Sequence, residues 1–454
     1  MKNWHFIRHI SFILVATCLF ACNNKETTPQ TSNVAQLTSF SFAEIKNMPG
    51  LAEAKFKVDE RIDTGLVTNQ ISRIDSMRYG TSLKKVVPKF TFAASPGSAY
   101  IHLGDTTIDL SGSDTLDFTR TPIYLSIVSS DLSKTKVYEI KTTVHTVDPD
   151  LYHWQTLTAS AFAPEDEEQQ VVMVGSTFYW FSNNGFSNRL HTSADAVTWT
   201  EKTLSGLPSV CHVKSIICHD NKLYYVDTTK LYISTDAENW TATDLSAKPF
   251  RMETMLMSFN DTAWLLVKDK EMTYRLAQVV ADTVKVTSLE LDEDFPVSGF
   301  STVAFESSSE RKRALVMGGY TKYGRSMNSR WSIEYAPTIK NLYRLTNYSV
   351  EQTDFSTLTG ASVIWYKNQL MLLGGVNKDM EFRGTDIWIS TNEGYSWTKA
   401  DTAKCKLPAL YTRRQKQSVI VYDNNIYVLG GEDLSTTYTD VYRGRLNSID
   451  WPTE

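Results

Sequence analysis

The feature that most constrains this chain is a hairpin that recurs at constant spacing. Val363 to Gly375 reads as an apolar strand, a polar turn at Lys367-Asn368, a second apolar strand and then Gly374-Gly375. Val419 to Gly431 repeats it, with Asp423-Asn424 in the turn and Gly430-Gly431 at the end. Gly318-Gly319 closes a third copy after Arg313 to Met317, and the first glycines, 318, 374 and 430, fall 56 residues apart twice running. Weaker copies keep the hairpin and lose the glycine pair: Val172 to Phe181, Cys218 to Val226, and Phe259 to Val267. A unit this short cannot cover its own faces, so it must stack against further copies of itself.

Each unit has a second half in which an aromatic or apolar strand runs into a turn and then a tryptophan. Ile387 to Trp397 is the clearest, and Leu231 to Trp240 and Leu190 to Trp199 repeat it. Four strands per unit and six units predict a six-bladed β-propeller over residues 150–454. Asp195, Asp236 and Asn392 are placed to cap outer turns, and the tryptophans to pack between blades. The double glycines suit a strand end that needs unusual backbone angles or close approach; no helix follows them, as a phosphate-binding loop would require. Run, double glycine, aromatic and Trp together resemble the kelch repeat, whereas Ser390 to Trp397 resembles the Asp-box of sialidase-type propellers, with Asn392 in place of Asp. The other two boxes are one residue short. Both resemblances imply a propeller. Trp154 and Trp451 both read as outer-strand tryptophans, and pairing the two ends of the domain would complete the last blade with one of them.

Apart from Trp4, every tryptophan lies at or beyond Trp154, and Asp148-Pro149-Asp150 is a turn-forming sequence that suits a domain junction. Upstream, residues 34–148 read as strands: Leu37 to Phe42, Val86 to Phe92, Ile123 to Ile127 and Val137 to Ile140. Alternation at Phe90/Phe92, Ile123/Leu125/Ile127 and Tyr138/Ile140 gives sheets with one buried face. About seven such strands predict an immunoglobulin-like β-sandwich without the antibody disulfide. Asp75 to Leu83, Val87 to Phe90, and Ser129-Ser130-Asp131 leading into Lys136-Val137-Tyr138 resemble the N-terminal sandwich of a gut-bacterial lipoprotein family of unknown function. The family brings no assigned activity, and because nothing catalytic clusters in this stretch it reads as a spacer module.

Lys2 and Arg8 precede an apolar run from Ile10 to Ala21 that Cys22 ends. The run is too short for a permanent membrane helix and has the layout of a cleavable export signal. Leu19-Phe20-Ala21-Cys22 resembles the lipobox of bacterial lipoproteins, which implies that residues 1–22 hold the signal and that Cys22 carries lipid as the first mature residue. Residues 23–33 contain nothing that enters a core and read as a solvated tether. The expected address is the cell envelope, at the outer membrane, facing either periplasm or surface, with the membrane reached through the lipid alone. Cys211, Cys218 and Cys405 are too few and too scattered for a structural zinc site, and Cys211 and Cys218 read as buried free thiols, with a bridge between the two as the alternative. A net charge of −5 with both signs scattered argues against nucleic acid as a partner, and no cofactor is expected.

In a propeller the loops after the double glycines and the loops joining blades emerge at one end. Those loops carry Arg251, Tyr323, Arg325, Arg383, Tyr411, Arg413, Arg414 and Glu432. Arg325, Arg383 and Arg413 are expected to project into one mouth, where arginines clamp a carboxylate through paired bonds. Two function classes follow. One is a non-catalytic binding or scaffolding module for a glycan, a peptide or an envelope protein. The alternative is a sialidase-like glycoside hydrolase, whose early Phe/Tyr-Arg-Ile-Pro motif is absent: Pro249-Phe250-Arg251-Met252 lacks the proline and follows two blades too late. No carboxylate pair has a spacing that argues for acid–base work. The residues therefore favour binding.

Overall fold

A computed structural model describes residues 31–46, 48, 50–61, 64–68, 77–110, 115–163, 168–307, 311–336, 339–345 and 358–447. Cys22, most of the tether and Trp451 lie outside the described residues. The chain packs as two units that part between Val147 and Asp148. Strands dominate both, and among the described residues the one helical turn is Val213–Ser215. No described helix is long and apolar enough to cross a membrane.

The N-terminal unit has two sheets of unequal size. Leu37–Phe42 pairs antiparallel with Pro88–Phe92. The larger sheet runs in the order Lys57–Glu60, Thr64–Thr68, Thr135–Lys141, Ile123–Val128, Ser98–Leu103 and Thr106–Asp109, with its second and third strands parallel. One core joins them: Leu37, Phe40 and Phe42 from the small sheet pack with Ile101, Leu125, Ile127 and Ile140 from the large one. The alternation of Ile123, Leu125 and Ile127 is what turns one face of that sheet inward.

The second unit contains six four-stranded antiparallel sheets. Blade 1 comprises Glu168–Val174, Thr177–Asn183, Asn188–Ser193 and Thr200–Lys202; blade 2 Ile217–His219, Lys222–Val226, Lys230–Ser234 and Thr241–Asp244. Blade 3 comprises Phe250–Ser258, Ala263–Asp269, Tyr274–Val280 and Thr283–Glu290; blade 4 Ser301–Glu306, Lys312–Met317, Arg330–Ala336 and Ile339–Leu345. Blade 5 holds Ser362–Tyr366, Gln369–Leu373, Trp388–Ser390 and Thr398–Lys399. Blade 6 takes three strands from the end of the domain, Ser418–Tyr422, Asn425–Glu432 and Thr437–Leu446, and its fourth, Tyr152–Thr158, from the beginning. Trp154 therefore sits on the closing strand, opposite Gly444, where a Cβ would stand 2.5 Å from the indole ring. The first strands of successive blades touch all the way round, so the ring is closed and those strands line its axis.

The hydrophobic core is six layers, one between each pair of neighbouring blades. In blade 4, Ala314 and Val316 face blade 3, while Leu315 and Met317 face blade 5. In blade 5, Leu370 and Leu372 face blade 4, while Met371 and Leu373 face blade 6. This explains why the second strands read as unbroken apolar runs: period-2 alternation sends successive side chains into different layers, and both are dry. Polar turns with positive φ at both central residues, such as Asp220-Asn221, Lys367-Asn368 and Asp423-Asn424, join first to second strands.

The glycine pairs sit where one blade's second strand ends against the loop entering the next blade. Gly318 and Gly374 have φ of 67° and 64°, and a Cβ would stand 2.2 Å from Leu358 O in the first case and 2.6 Å from Arg414 O in the second. Gly319 N donates to Leu358 O at 2.7 Å and Gly375 N to Arg414 O at 3.0 Å, so the absent side chains allow backbone to pair across blades.

The Asp-box residues are structural caps. Asp195 Oδ1 accepts from the Val197 and Thr198 amides at 2.8 and 2.7 Å, and Asp236 Oδ1 from Glu238 and Asn239 at 3.0 and 2.8 Å. Asn392 Oδ1 accepts from Ser396 N at 2.9 Å. Trp240 and Trp397 are buried between blades, and their Nε1 groups donate to Ala237 O and Gly394 O.

Candidate functional site

Antiparallel alternation places the links from second to third strands, and the links between blades, at the end of the ring where the first strands begin. A cavity of about 640 Å³ opens there on the axis, lined from all six blades. Hydroxyls at or just before the starts of the first strands stitch neighbouring blades around it. Val171 N donates to Ser418 Oγ at 2.8 Å, Met255 N to Ser215 Oγ at 2.9 Å, and Val363 N to Ser301 Oγ at 2.8 Å. Ser362 Oγ donates in turn to Gln417 O at 2.7 Å. Polar and apolar side chains share the wall, and each of these hydroxyls satisfies a strand amide or carbonyl that the next blade leaves open.

The charges in the mouth are lysines and carboxylates. Lys416 Nζ pairs with Glu432 at 2.8 Å, and Glu253, which lines the cavity, pairs with Lys268 at 3.1 Å. Lys214 stands apart, on the short turn Val213–Ser215 that leads into blade 2. Its Nζ donates to Gln170 Oε1 at 3.2 Å and to Lys416 O at 2.5 Å, both neutral acceptors. The side chain is half-buried and lines the cavity wall. Desolvation brings its pKa from 10.5 down to about 8; Glu168 and Glu432 oppose that fall, and Lys416 adds to it.

The arginines are distributed differently from the sequence expectation. Arg325, Arg383 and Arg413 lie in mouth-end loops, but none lines the axial cavity. Each guanidinium instead lies over an aromatic ring: Arg325 over Tyr323 at 5.6 Å, Arg383 over Trp388 at 5.2 Å and Arg413 over Phe382 at 5.8 Å. Arg325 also faces Asp294 at 3.8 Å, and Tyr323 Oη donates to Glu293 at 2.8 Å. Glu432 ends a second strand, where it holds Lys416 and accepts from Gln415 Nε2 at 3.2 Å.

Glu432 is thus a strand residue and not the loop residue expected, and three further positions need correction. Arg251 is in the first strand of blade 3, not in a loop, and its Nη1 donates to Ser246 O and Phe250 O at 3.3 and 3.1 Å. Tyr411 is buried in the layer between blades 5 and 6, edge-on to Tyr442. Arg414 has no exposed side-chain surface; Asp440 takes both its Nη atoms and Gly430 O accepts from Nη1. A guanidinium with those partners is closed to any ligand, since binding would strip a buried charge of its counterion.

Lys214, Gln170 and the serine ring were not singled out from sequence. Their one legible signal is a polar residue at the head of an otherwise apolar strand, as at Gln170, Ser301, Ser362 and Ser418. The cysteines add no chemistry: Cys211, Cys218 and Cys405 are free thiols, and burial pushes Cys211 and Cys405 up to about 12. Among the described residues no group of three or more His, Cys, Asp or Glu side chains is arranged to hold a metal.

Among solved structures, that of YjhT is similar with a TM-score of 0.47 and 12% identity, covering 63% of this chain and 96% of the other. A likeness of that size carries no argument about activity. No curated protein matches the sequence. Family models match nearly the whole chain: residues 22–142 fit the N-terminal domain of DUF6242, a domain of unknown function, and residues 148–454 fit the DUF6242 beta propeller domain. The closed ring of six four-stranded blades fits the second match, and the chain accordingly belongs to the DUF6242 family, with its β-propeller as the larger part.

Proposed function

We propose that this chain is a cell-envelope lipoprotein whose propeller is a non-catalytic binding module, docking a protein partner at the mouth end. One observation carries the reading. The large apolar side chains of the propeller that are 60% or more exposed among the described residues are Phe186 (86%), Leu434 (75%), Leu410 (68%), Met272 (62%) and Tyr323 (60%). All five stand on mouth-end loops: four on the second-to-third-strand links of blades 1, 3, 4 and 6, and Leu410 on the link from blade 5 to blade 6. Other apolar side chains are exposed at the opposite end, Val197 and Val421 among them, but the most exposed ones concentrate at the mouth, and such a concentration marks an interaction face.

The composition of that rim favours a protein. Arg325, Arg383 and Arg413 on their aromatic rings, with Tyr323 and Met272 beside them in the same face, match the Arg, aromatic and Met enrichment of protein interfaces. Carboxylates accompany the cations, at Lys322–Glu293 and Lys416–Glu432, so the rim has no single-sign field to attract anionic lipid. The N-terminal unit, two sheets around one core, is assigned the role of an immunoglobulin-like spacer, with Cys22 as the lipid anchor.

Site-specific photocrosslinking in cells tests the docking face. A benzoylphenylalanine at position 186 or 434 should give one discrete adduct that Leu410→Asp removes. The same group at Val197, in the turn between the third and fourth strands of blade 1 at the opposite end, should give none. Equal adducts from both ends, or none from either, would reject the mouth as the docking face. Cys22→Ala should abolish membrane attachment, and normal attachment of that variant would reject the anchor.

A further inference from the structure

Lys214 lines the axial cavity, which is large enough for a small organic ligand. Its Nζ has two hydrogen-bond partners, Gln170 Oε1 and Lys416 O, and both are neutral oxygens. No carboxylate among the described residues forms an ion pair with it. A neutral amine has two N–H bonds and one lone pair. In the neutral form these two acceptors take its two hydrogens and the lone pair is left to the cavity, while the ammonium form turns its third N–H there instead. Gln170 is itself held, because its Oε1 also faces Ser418 Oγ at 3.5 Å, one of the hydroxyls of the serine ring.

We propose that Lys214 captures a carbonyl ligand, an aldehyde or ketone such as an open-chain sugar, by forming an imine with Nζ inside the mouth. The nitrogen lone pair adds to the carbonyl carbon as the C=O π pair moves onto oxygen. One nitrogen proton passes through solvent to that oxygen, giving a carbinolamine. Loss of the hydroxyl together with the second nitrogen proton releases water and leaves C=N. No oxidant or reductant is needed, and water returns the amine.

Desolvation disfavours its charged form and brings its pKa down to about 8, so a fraction of the amine is neutral near pH 7 and about half at pH 8. The charged and titratable groups around it are Glu168 from blade 1, Lys416 and Glu432 from blade 6, and His212 and Glu253, which line the same cavity. Gln170 and Lys416 O act as positioning groups that aim the lone pair. This inference does not require the rim to dock a protein, since the cavity and the apolar loop tips are different surfaces.

The test is reductive trapping on the full chain, with glycolaldehyde as limiting probe, sodium cyanoborohydride as hydride donor, and peptide mapping by mass spectrometry. At pH 8 the adduct on Lys214 should exceed that on the exposed Lys248 and Lys285 by about tenfold or more, since an ordinary lysine is almost wholly protonated there. The yield at Lys214 should reach half its maximum near pH 8, and Gln170→Leu should slow the adduct while leaving Lys248 and Lys285 unchanged. The comparison is made within the wild-type chain, so it does not depend on any variant folding. Labelling of Lys214 no faster than that of Lys248 and Lys285, or a half-maximum two pH units higher, would overturn the proposal. Either result leaves the crosslinking test of the docking face untouched.

Discussion

Arg414 and Asp440 form a bidentate ion pair inside blade 6, with Nη1–Oδ1 at 2.5 Å and Nη2–Oδ2 at 3.0 Å. Tyr442 Oη donates to the same Asp440 Oδ2 at 2.8 Å, and the Tyr438 and Tyr411 rings lie 3.9 and 4.5 Å from the guanidinium carbon. Removing one partner leaves a buried charge unpaired. Arg414→Ala or Asp440→Ala should cost about 3–5 kcal/mol in urea unfolding. The double replacement Arg414→Leu/Asp440→Leu should cost less than the sum of the two, because no bare charge remains.

The double glycines make a sharp comparison. Gly318→Ala combines a left-handed backbone with a Cβ 2.2 Å from Leu358 O and should cost about 2–5 kcal/mol from strain plus overpacking. Gly384→Ala shares the positive φ, 87°, but has nothing within 4 Å of the added carbon, and should cost only about 1–2 kcal/mol. Equal losses in thermal melts would show that backbone angle alone, and not the approach of the next blade, decides these positions.

Ring closure rests on Trp154 lying across Gly444. Gly444→Ala should destabilise the propeller by about 1–3 kcal/mol and raise hydrogen exchange selectively in Tyr152–Thr158, because the added methyl displaces the indole of the closing strand. Uniform exchange across all six blades would argue that closure is not the weak point.

Asp433 holds the loop that presents Leu434. It accepts from Tyr438 Oη at 2.5 Å, Ser435 N at 2.8 Å and Thr436 N at 2.8 Å, and these bonds, the tyrosine's first, draw its pKa from 3.8 to about 2. A carboxylate with a depressed folded-state pKa stabilises fully above its unfolded value, and that contribution is lost as pH falls through the folded one. Amide exchange in residues 433–436 should therefore be flat above about pH 4, after correction for intrinsic rates, and accelerate toward pH 2. Asp433→Asn should remove that pH dependence.

The repeat and its strand types were legible because they are local. Hairpins with Asp-Asn or Lys-Asn turns, glycine pairs at fixed spacing and box-and-tryptophan halves each encode their own geometry over a dozen residues, and all lie in blades of the ring. Even the weak copies at Cys218 and Phe259 were readable, since both faces of a blade are buried and apolar runs survive where glycines do not. The capping roles of Asp195, Asp236 and Asn392 followed from the same short range.

Tertiary structure alone decided the rest. Arg413 and Arg414 are neighbours in sequence, yet one is exposed over Phe382 and the other is sealed against Asp440, a residue 26 positions away. Whether Trp154 closed the ring depended on pairing strands nearly three hundred residues apart. Lys214 acquires its setting from Gln170, 44 residues before it, and Lys416, 202 residues after it. The physical reason is common to all three: burial and charge pairing are properties of what the closed ring brings together, and no window of the sequence contains both partners. The sequence by itself determined the blades; the closure of the ring determined which of its polar side chains remain open to solvent and which face the axis.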